Sequence, residues 1–242
     1  MKTPTTVTLP AEGRVFRHRD RVTLADVSPA GRARLDALAR WLQDAAYDDS
    51  RDSGLVDSGV WIVRRLALRV LCFPRLLDKI DVATFCSGVA PLWAERSSIV
   101  SCNGTLAVEA VAVWVHLQPD GARPQPLPEG FDEVYGPSAR GRRVRARLRH
   151  PPAPPAGAAA RPWHFRGADL DPARHVNNAV YWAALEDELV ASEPAAGLDA
   201  EIEHRAPTGA GEATVLADGP MRWIADAAGA VVATLRAEPL SS

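Results

Sequence analysis

Ala25-Asp26-Val27-Ser28-Pro29-Ala30 returns, 143 positions later, as Ala168-Asp169-Leu170-Asp171-Pro172-Ala173. The correspondence runs on into the following segments, Leu42 against Leu185 and Asp44 against Asp187. A repeat with so long a period in a 242-residue chain signals the duplication of a whole folding unit rather than a short-period array.

Around each copy the order of elements is the same. In the first, Ser28 is an N-cap type of residue and Pro29 suits a first turn. Leu35, Leu38, Trp41, Leu42 and Ala45 then recur at helical spacing, which predicts an amphipathic helix from Ser28 to Ala46 followed by a polar loop around Asp48 to Gly59. The period then changes to that of strands. Val60 to Phe73 is rich in branched residues, Asp81 to Ser87 is a second strand, and Arg96 to His116 reads as a hairpin turning on Asn103-Gly104. The second copy has strands at Ala200 to Ala206, Glu212 to Asp218, Met221 to Ala225 and Ala230 to Ala237, the last two joined by a turn at Asp226 to Gly229. A helix followed by a meander, twice, is an α+β arrangement in which each sheet wraps a central helix. Pro124, Pro126, Pro128 and the run Pro151 to Ala160 mark an extended linker, so the expected division is 14–120, a proline-rich and basic linker over 121–160, and 161–242.

Composition narrows the function. A formal net charge of -2 and a pI near 6.3 give no general attraction to nucleic acid or to an anionic membrane. The basic run Arg140 to Arg149 is the local exception, suited to an acidic protein surface or to phosphates, and equally to a solvated linker. Met1 to Thr8 lacks the apolar stretch of a secretory signal and no run approaches the roughly 18 apolar residues of a membrane span, so the cytoplasm is expected. Cys72, Cys86 and Cys102 lack metal-ligand or paired spacing and read as reduced core residues; no metal and no cofactor are expected.

The two copies differ in chemistry. Where the first has Ser28, Gly31, Arg32 and Leu35, the second has Asp171, Arg174, His175 and Asn178. Such side chains compete with helical hydrogen bonding and need partners if buried. One reading is structural, with Asp171 as an N-cap and Asn177-Asn178 as a turn. The other is catalytic. Free N–H groups at a helix start near Asn177 would stabilise an oxyanion, Asp171 would activate water or attack a carbonyl, and His175 would orient the water or protonate a leaving group.

Asp171-Pro-Ala-Arg-His-Val-Asn-Asn-Ala-Val-Tyr181 resembles the signature Asp-x-x-x-His-Val-Asn-Asn-x-x-Tyr of hotdog thioesterases, including the acyl-acyl-carrier-protein thioesterases of plants and bacteria. Trp61-Ile-Val-Arg-Arg-Leu-Ala-Leu-Arg-Val and Asp81-Val-Ala-Thr-Phe are similar to that family's N-terminal strand pair, so the likeness spans roughly residues 14 to 236. It implies a tandem, or double, hotdog acting as a pseudo-dimer, with an acyl tunnel lined largely by the first half. It also implies hydrolysis of an acyl thioester of acyl-carrier protein or coenzyme A. Asp171, His175, Asn177 and Asn178 take the catalytic positions, and Trp41, Trp61 and Tyr181 are the expected substrate-binding residues. The fused unit would be a monomer or a homodimer. His164 and His204 are read as structural, Glu186 and Glu188 as a solvated face or an end-of-tunnel hydrogen bond, and the tryptophans at 41, 61, 93, 114 and 182 as core or tunnel wall.

Two positions depart from the plant pattern. Ala173 stands where those enzymes have an asparagine, and Pro207 and Thr208 stand where they carry a Glu-Cys pair. Simpler bacterial hotdog thioesterases often read Asp-Pro-x-Gly-His, which suits an aspartate-centred mechanism. The departures keep two alternatives open: a non-catalytic double-hotdog protein that binds acyl chains or acyl-carrier protein, and a hotdog hydratase or dehydratase.

Overall fold

The computed structural model describes residues 7–55, 59–118, 121, 123–191 and 197–240. Among the described residues ten antiparallel strands form one sheet: β1 (Phe16–Arg21), β2 (Val60–Val70), β3 (Lys79–Ala90), β4 (Trp93–Cys102), β5 (Thr105–Leu117), β6 (Ala159–Phe165), β7 (Leu198–His204), β8 (Gly211–Asp218), β9 (Met221–Asp226) and β10 (Val231–Pro239). Their spatial order is β1-β3-β4-β5-β2-β7-β10-β9-β8-β6. Read outward from the centre, both halves follow one path: β2-β5-β4-β3-β1 is matched by β7-β10-β9-β8-β6. The duplication inferred from sequence is thus present in the strand topology, and β2 joins β7 at the seam with Leu66 opposite Ile202 and Leu68 opposite Ala200.

The helix α1 (Leu35–Asp52) buries Leu35, Leu38, Trp41, Leu42 and Ala45, the residues whose spacing predicted it. It begins seven residues later than expected. Ser28-Pro29 opens a tight turn instead, because the Ser28 N–H bonds the Arg32 carbonyl and Val27 bridges Ala33 before the helix starts. The helix also ends later, at Asp52, taking in much of the expected polar loop; residues 56–58 of that loop lie outside the described residues. The shorter α3 (Ala183–Ala191) follows a 3-10 turn at Val180–Trp182 and packs beside α1 over a shared core that includes Trp41, Trp182, Leu68 and Ile202.

The linker is more structured than its prolines suggest. Within it, α2 (Phe131–Ala139) turns Phe131 and Tyr135, one helical turn apart, onto Cys86, Val89 and Ala94 of the first sheet half. Pro137 lies inside the last turn of this helix and Gly130 sets its start with φ 81°, so the residues that mimic a loop signal are terminal devices of a short helix. Beyond α2 the basic run crosses the face of the sheet turned away from the helices. Val144 and His150 point inward, while Arg143, Arg145, Arg147 and Arg149 stand exposed at alternate positions. The strap is held along its length: the Trp93 indole N–H donates to the Val144 carbonyl (3.1 Å) and Arg65 Nη1 to the Arg147 carbonyl (3.1 Å).

The strap ends on Glu203, a fully buried carboxylate beside the seam. Its two oxygens accept the N–H groups of Arg149 (2.5 Å) and His150 (3.1 Å), and Arg205 Nη2 lies 3.5 Å away. Of the cysteines, Cys86 and Cys102 are buried or half-buried, and burial pushes their thiols up to about 11 and about 12. Cys72 is exposed on the turn after β2, which corrects its reading as a core residue. Among the described residues no helix is long and apolar enough to cross a membrane.

Glu203→Ala is expected to strand two backbone donors and the Arg205 charge in the interior, costing about 3 kcal/mol or more of stability. Urea denaturation of the variant beside the wild-type protein measures this; an unchanged midpoint would mean that the strap is not held by this carboxylate.

Candidate active site

The segment Asp171 to Asn178 forms a closed turn ahead of α3. Leu170 bridges Val176, the Asp171 N–H bonds the His175 carbonyl (2.8 Å), and the Arg174 N–H bonds the Asp171 carbonyl (2.9 Å). Arg174 closes it in the left-handed region, with φ 63°, a conformation that glycine adopts without cost and that Gly31 supplies in the first copy, with φ 78°. The two copies match bond for bond. Ser28 N–H to Arg32 carbonyl, Gly31 N–H to Ser28 carbonyl and Arg34 N–H to Asp26 carbonyl have their equivalents in Asp171 to His175, Arg174 to Asp171 and Asn177 to Asp169.

This turn decides what each predicted residue does. Asp171 is half-buried; its Oδ1 accepts the His175 backbone N–H (3.2 Å), and the carboxylate lines a cavity. The Asn177 carboxamide oxygen accepts the Ala179 N–H (2.9 Å) and its carbonyl accepts the Val180 N–H (2.9 Å), so Asn177 braces the turn that leads into the 3-10 segment. Asn178 also lines the cavity, and neither its backbone N–H nor its side chain bonds to any described residue. The free donor expected near Asn177 is therefore that of Asn178. The His175 ring is exposed, off the cavity wall, and makes no hydrogen bond to Asp171.

The cavity has a volume of about 470 Å³, within the range of small-molecule sites. One side is α1, through Gln43, Ala46, Tyr47 and Ser50. Another is aromatic: Trp61 stacks on Phe131 at 5.8 Å, and Phe131 lies 4.9 Å from Tyr135. Strands β3 to β5 add Cys86, Arg96 and Trp114, and the second half contributes only Asp171, Pro172, Asn177 and Asn178. Arg96 is held by Asp49, a buried carboxylate on α1 that also pairs with Arg14, each contact at 2.6 Å.

Of the three expected substrate-binding residues, Trp61 is on the wall. Trp41 and Tyr181 are not; they lie in the core at 1% and 2% exposure. Tyr181 packs between Phe165 and His204, and burial together with the nearby Asp171 charge raises its phenol well above the usual range. Burial and the Arg64 charge push His204 down to about 3, so it is neutral near pH 7. Thr208 accepts the Val176 N–H on its carbonyl (2.8 Å), placing the connection between β7 and β8 against the Asp171 turn. Of the two readings given to Glu186, a solvated face or an end-of-tunnel hydrogen bond, burial removes the first: Glu186 is buried and lies 2.8 Å from Arg32 Nη2, while Glu188 is forked onto Arg222. Sequence reading missed Gln43, Arg96, Phe131 and Tyr135 as wall residues. Helical spacing from Leu35 puts Gln43 beside the buried stripe, which is the one signal it carries.

Among the described residues, one group has metal-ligand spacing: His150, Glu201 and Glu203, with donor atoms within 4.8 Å of one another. It lies at the seam and none of its members is on the cavity wall. Both Glu203 oxygens already accept backbone N–H groups, and Arg65 and Arg205 supply the neighbouring positive charge, so the donor set suits a structural network better than a cation.

Residues 13–135 match the model of the acyl-ACP thioesterase N-terminal domain and residues 154–216 that of the C-terminal domain. An uncharacterized protein of Mycobacterium tuberculosis is 25% identical over 206 residues, covering 84% of this chain and 82% of its own. The 12:0-ACP thioesterase from Umbellularia californica shares the fold with a TM-score of 0.74 and 19% identity, over 95% of this chain and 99% of that one. An acyl-ACP thioesterase from Bacteroides thetaiotaomicron gives 0.73 and 18%, over 93% and 98%. With the duplicated topology and the turn at Asp171, these matches establish the α+β double hotdog, and the chain belongs to the acyl-ACP thioesterase family.

Proposed function

We propose that this protein hydrolyses acyl thioesters, holding the acyl group in the 470 Å³ cavity and the thioester carbon beside Asp171. The observation that carries the reading is the meeting, around one cavity, of Asp171 and Asn178 from the second half, the N–H of Asn178 being unpartnered among the described residues, with an aromatic lining from the first. A water molecule adds to the thioester carbonyl carbon and gives its proton to Asp171. The carbonyl π pair moves onto oxygen, where the Asn178 N–H meets the growing charge. Collapse of this intermediate breaks the carbon–sulfur bond and releases a carboxylic acid and a thiol, the thiolate taking the proton back. Asn177 acts by holding the turn, and His175 reaches the leaving group from the exposed side of the loop.

The leaving group in this reading is acyl-carrier protein or coenzyme A, and the name of the matching family supports the former. The exposed ladder of Arg143, Arg145, Arg147 and Arg149 offers positive charge to either, as the sequence suggested. A cytoplasmic setting, and a monomer or a dimer of the fused unit, belong to the same reading. One observation favours a protein that binds acyl groups without hydrolysing them: the exposed His175 ring, which makes no bond to Asp171. The thiol-release assay below separates the two.

Asp171→Ala is expected to lower thiol release from acyl-carrier-protein and coenzyme A thioesters by about 100-fold or more, with the thermal midpoint within a few degrees of wild type. Retained turnover sinks the mechanism, and a wild-type protein that binds thioesters tightly without releasing thiol establishes the binding reading. Ala46→Trp fills the cavity from α1, so longer acyl substrates should lose kcat/KM before shorter ones do; an equal loss for all lengths would place the acyl chain elsewhere.

A further inference from the structure

The duplication gives the residues at each helix entrance counterparts at the other. Asn178 corresponds to Leu35 and His175 to Arg32, while Gln43 on α1 corresponds to Glu186 on α3. The two turns match in their hydrogen bonds, so what lies in front of each helix entrance is directly comparable.

In the first copy that space is filled from within. Glu186 reaches across from α3, its Oε2 accepts the Leu35 N–H at 2.9 Å, and its Oε1 lies 2.8 Å from Arg32 Nη2. Both side chains are 4% exposed. A carboxylate oxygen thus occupies the N–H at the first helix entrance, and Arg32 neutralises it.

In the second copy the same two positions are open. Gln43 and Asn178 both line the main cavity, and both line a small recess that adjoins it together with Arg96 and Trp114. Neither the Gln43 carboxamide nor the Asn178 N–H bonds to a described residue, and the indole N–H of Trp114 is buried without a partner. Three sets of donors therefore border one recess and lack an acceptor. An ionised glutamate only accepts, so at the first entrance it satisfies the helix N–H and closes the space; a glutamine carries an NH₂ and can join a helix N–H in donating to a third oxygen.

We propose that Gln43 is a catalytic residue: its carboxamide N–H is a second donor to the thioester carbonyl oxygen, opposite the Asn178 N–H. This rests on the thioesterase reading above. Each donor comes from a different half of the chain, and the oxygen that Glu186 places on Leu35 marks the position that the substrate oxygen takes on Asn178. As water adds and charge grows on that oxygen, the two fixed donors stabilise it more than they stabilise the uncharged carbonyl, which is a gain in kcat rather than in binding.

Gln43→Met keeps the volume and removes the donor; Gln43→Glu installs the closing residue of the other copy. Thiol release from acyl-carrier-protein and coenzyme A thioesters is measured at pH 8 beside thermal unfolding. Gln43→Met should lower kcat at least tenfold with KM within about threefold of wild type, and Gln43→Glu should lower it by about 100-fold with a thermal midpoint at or above that of wild type. A Gln43→Met kcat within twofold of wild type overturns the proposal, as does a Gln43→Glu enzyme of near wild-type turnover. Either of these results in a background where Asp171→Ala is inactive removes Gln43 alone. A wild-type protein that releases no thiol from any of these substrates overturns the thioesterase reading and this proposal together.

Discussion

The pairing of β2 with β7 is the constraint from which the functional geometry follows. It places the first strand after the central helix of one half against its counterpart in the other, so one continuous sheet carries both central helices on the same face. The apolar side of the seam, with Leu66, Leu68 and Ile202, becomes shared core. The opposite side collects Arg65, Glu201 and Glu203 and has to be neutralised. The strap that carries the basic run does this by delivering two backbone N–H groups and His150 to the buried carboxylates. A run of arginines that looks from composition like a docking segment is in this way also a clamp on the seam, with its inward residues and backbone used for structure and its outward side chains left in solvent.

Because the sheet is continuous, each helix entrance faces the helix of the other half. The two entrances differ in what fills them. Arg32 and Glu186 fill the first with a buried ion pair, in which burial pushes the Glu186 carboxyl up against the downward pull of Arg32 and the Leu35 N–H. A buried pair of this kind contributes little net stability, since desolvation offsets most of its attraction. Its consequence is that protein atoms fill the space in front of the first entrance. The second entrance has shorter or uncharged residues at the same positions, and the space so left is enlarged on the side of the first half by the turn of α1 and by α2.

Much of this was readable in the chain. The repeat, the strand meander and the hairpin at Asn103-Gly104 depend on local patterns, and the structure retains them. Asp171 stood out because a carboxylate and two asparagines at a helix start are poor packing residues. The helix α2 did not stand out, since a short helix with a glycine before it and a proline in its last turn has the composition of a loop, and only contact with Cys86 and Ala94 makes it stable. Trp41 and Trp61 are alike as residue types, and nothing local separates the one in the core from the one on the cavity wall.

By itself the sequence determined the duplication, the fold class and the segment where titratable and amide side chains cluster at a helix entrance, because each is encoded in spacing or residue type over a short stretch. Tertiary structure alone decided which donors are free and which groups share a cavity. Asn177 spends its carboxamide on the Ala179 N–H while the Asn178 N–H has no partner among the described residues, and Gln43, more than a hundred residues away in sequence, borders the same recess. Such facts depend on whether a hydrogen-bonding group is already satisfied, and that is settled only when the two halves of the sheet have closed on each other.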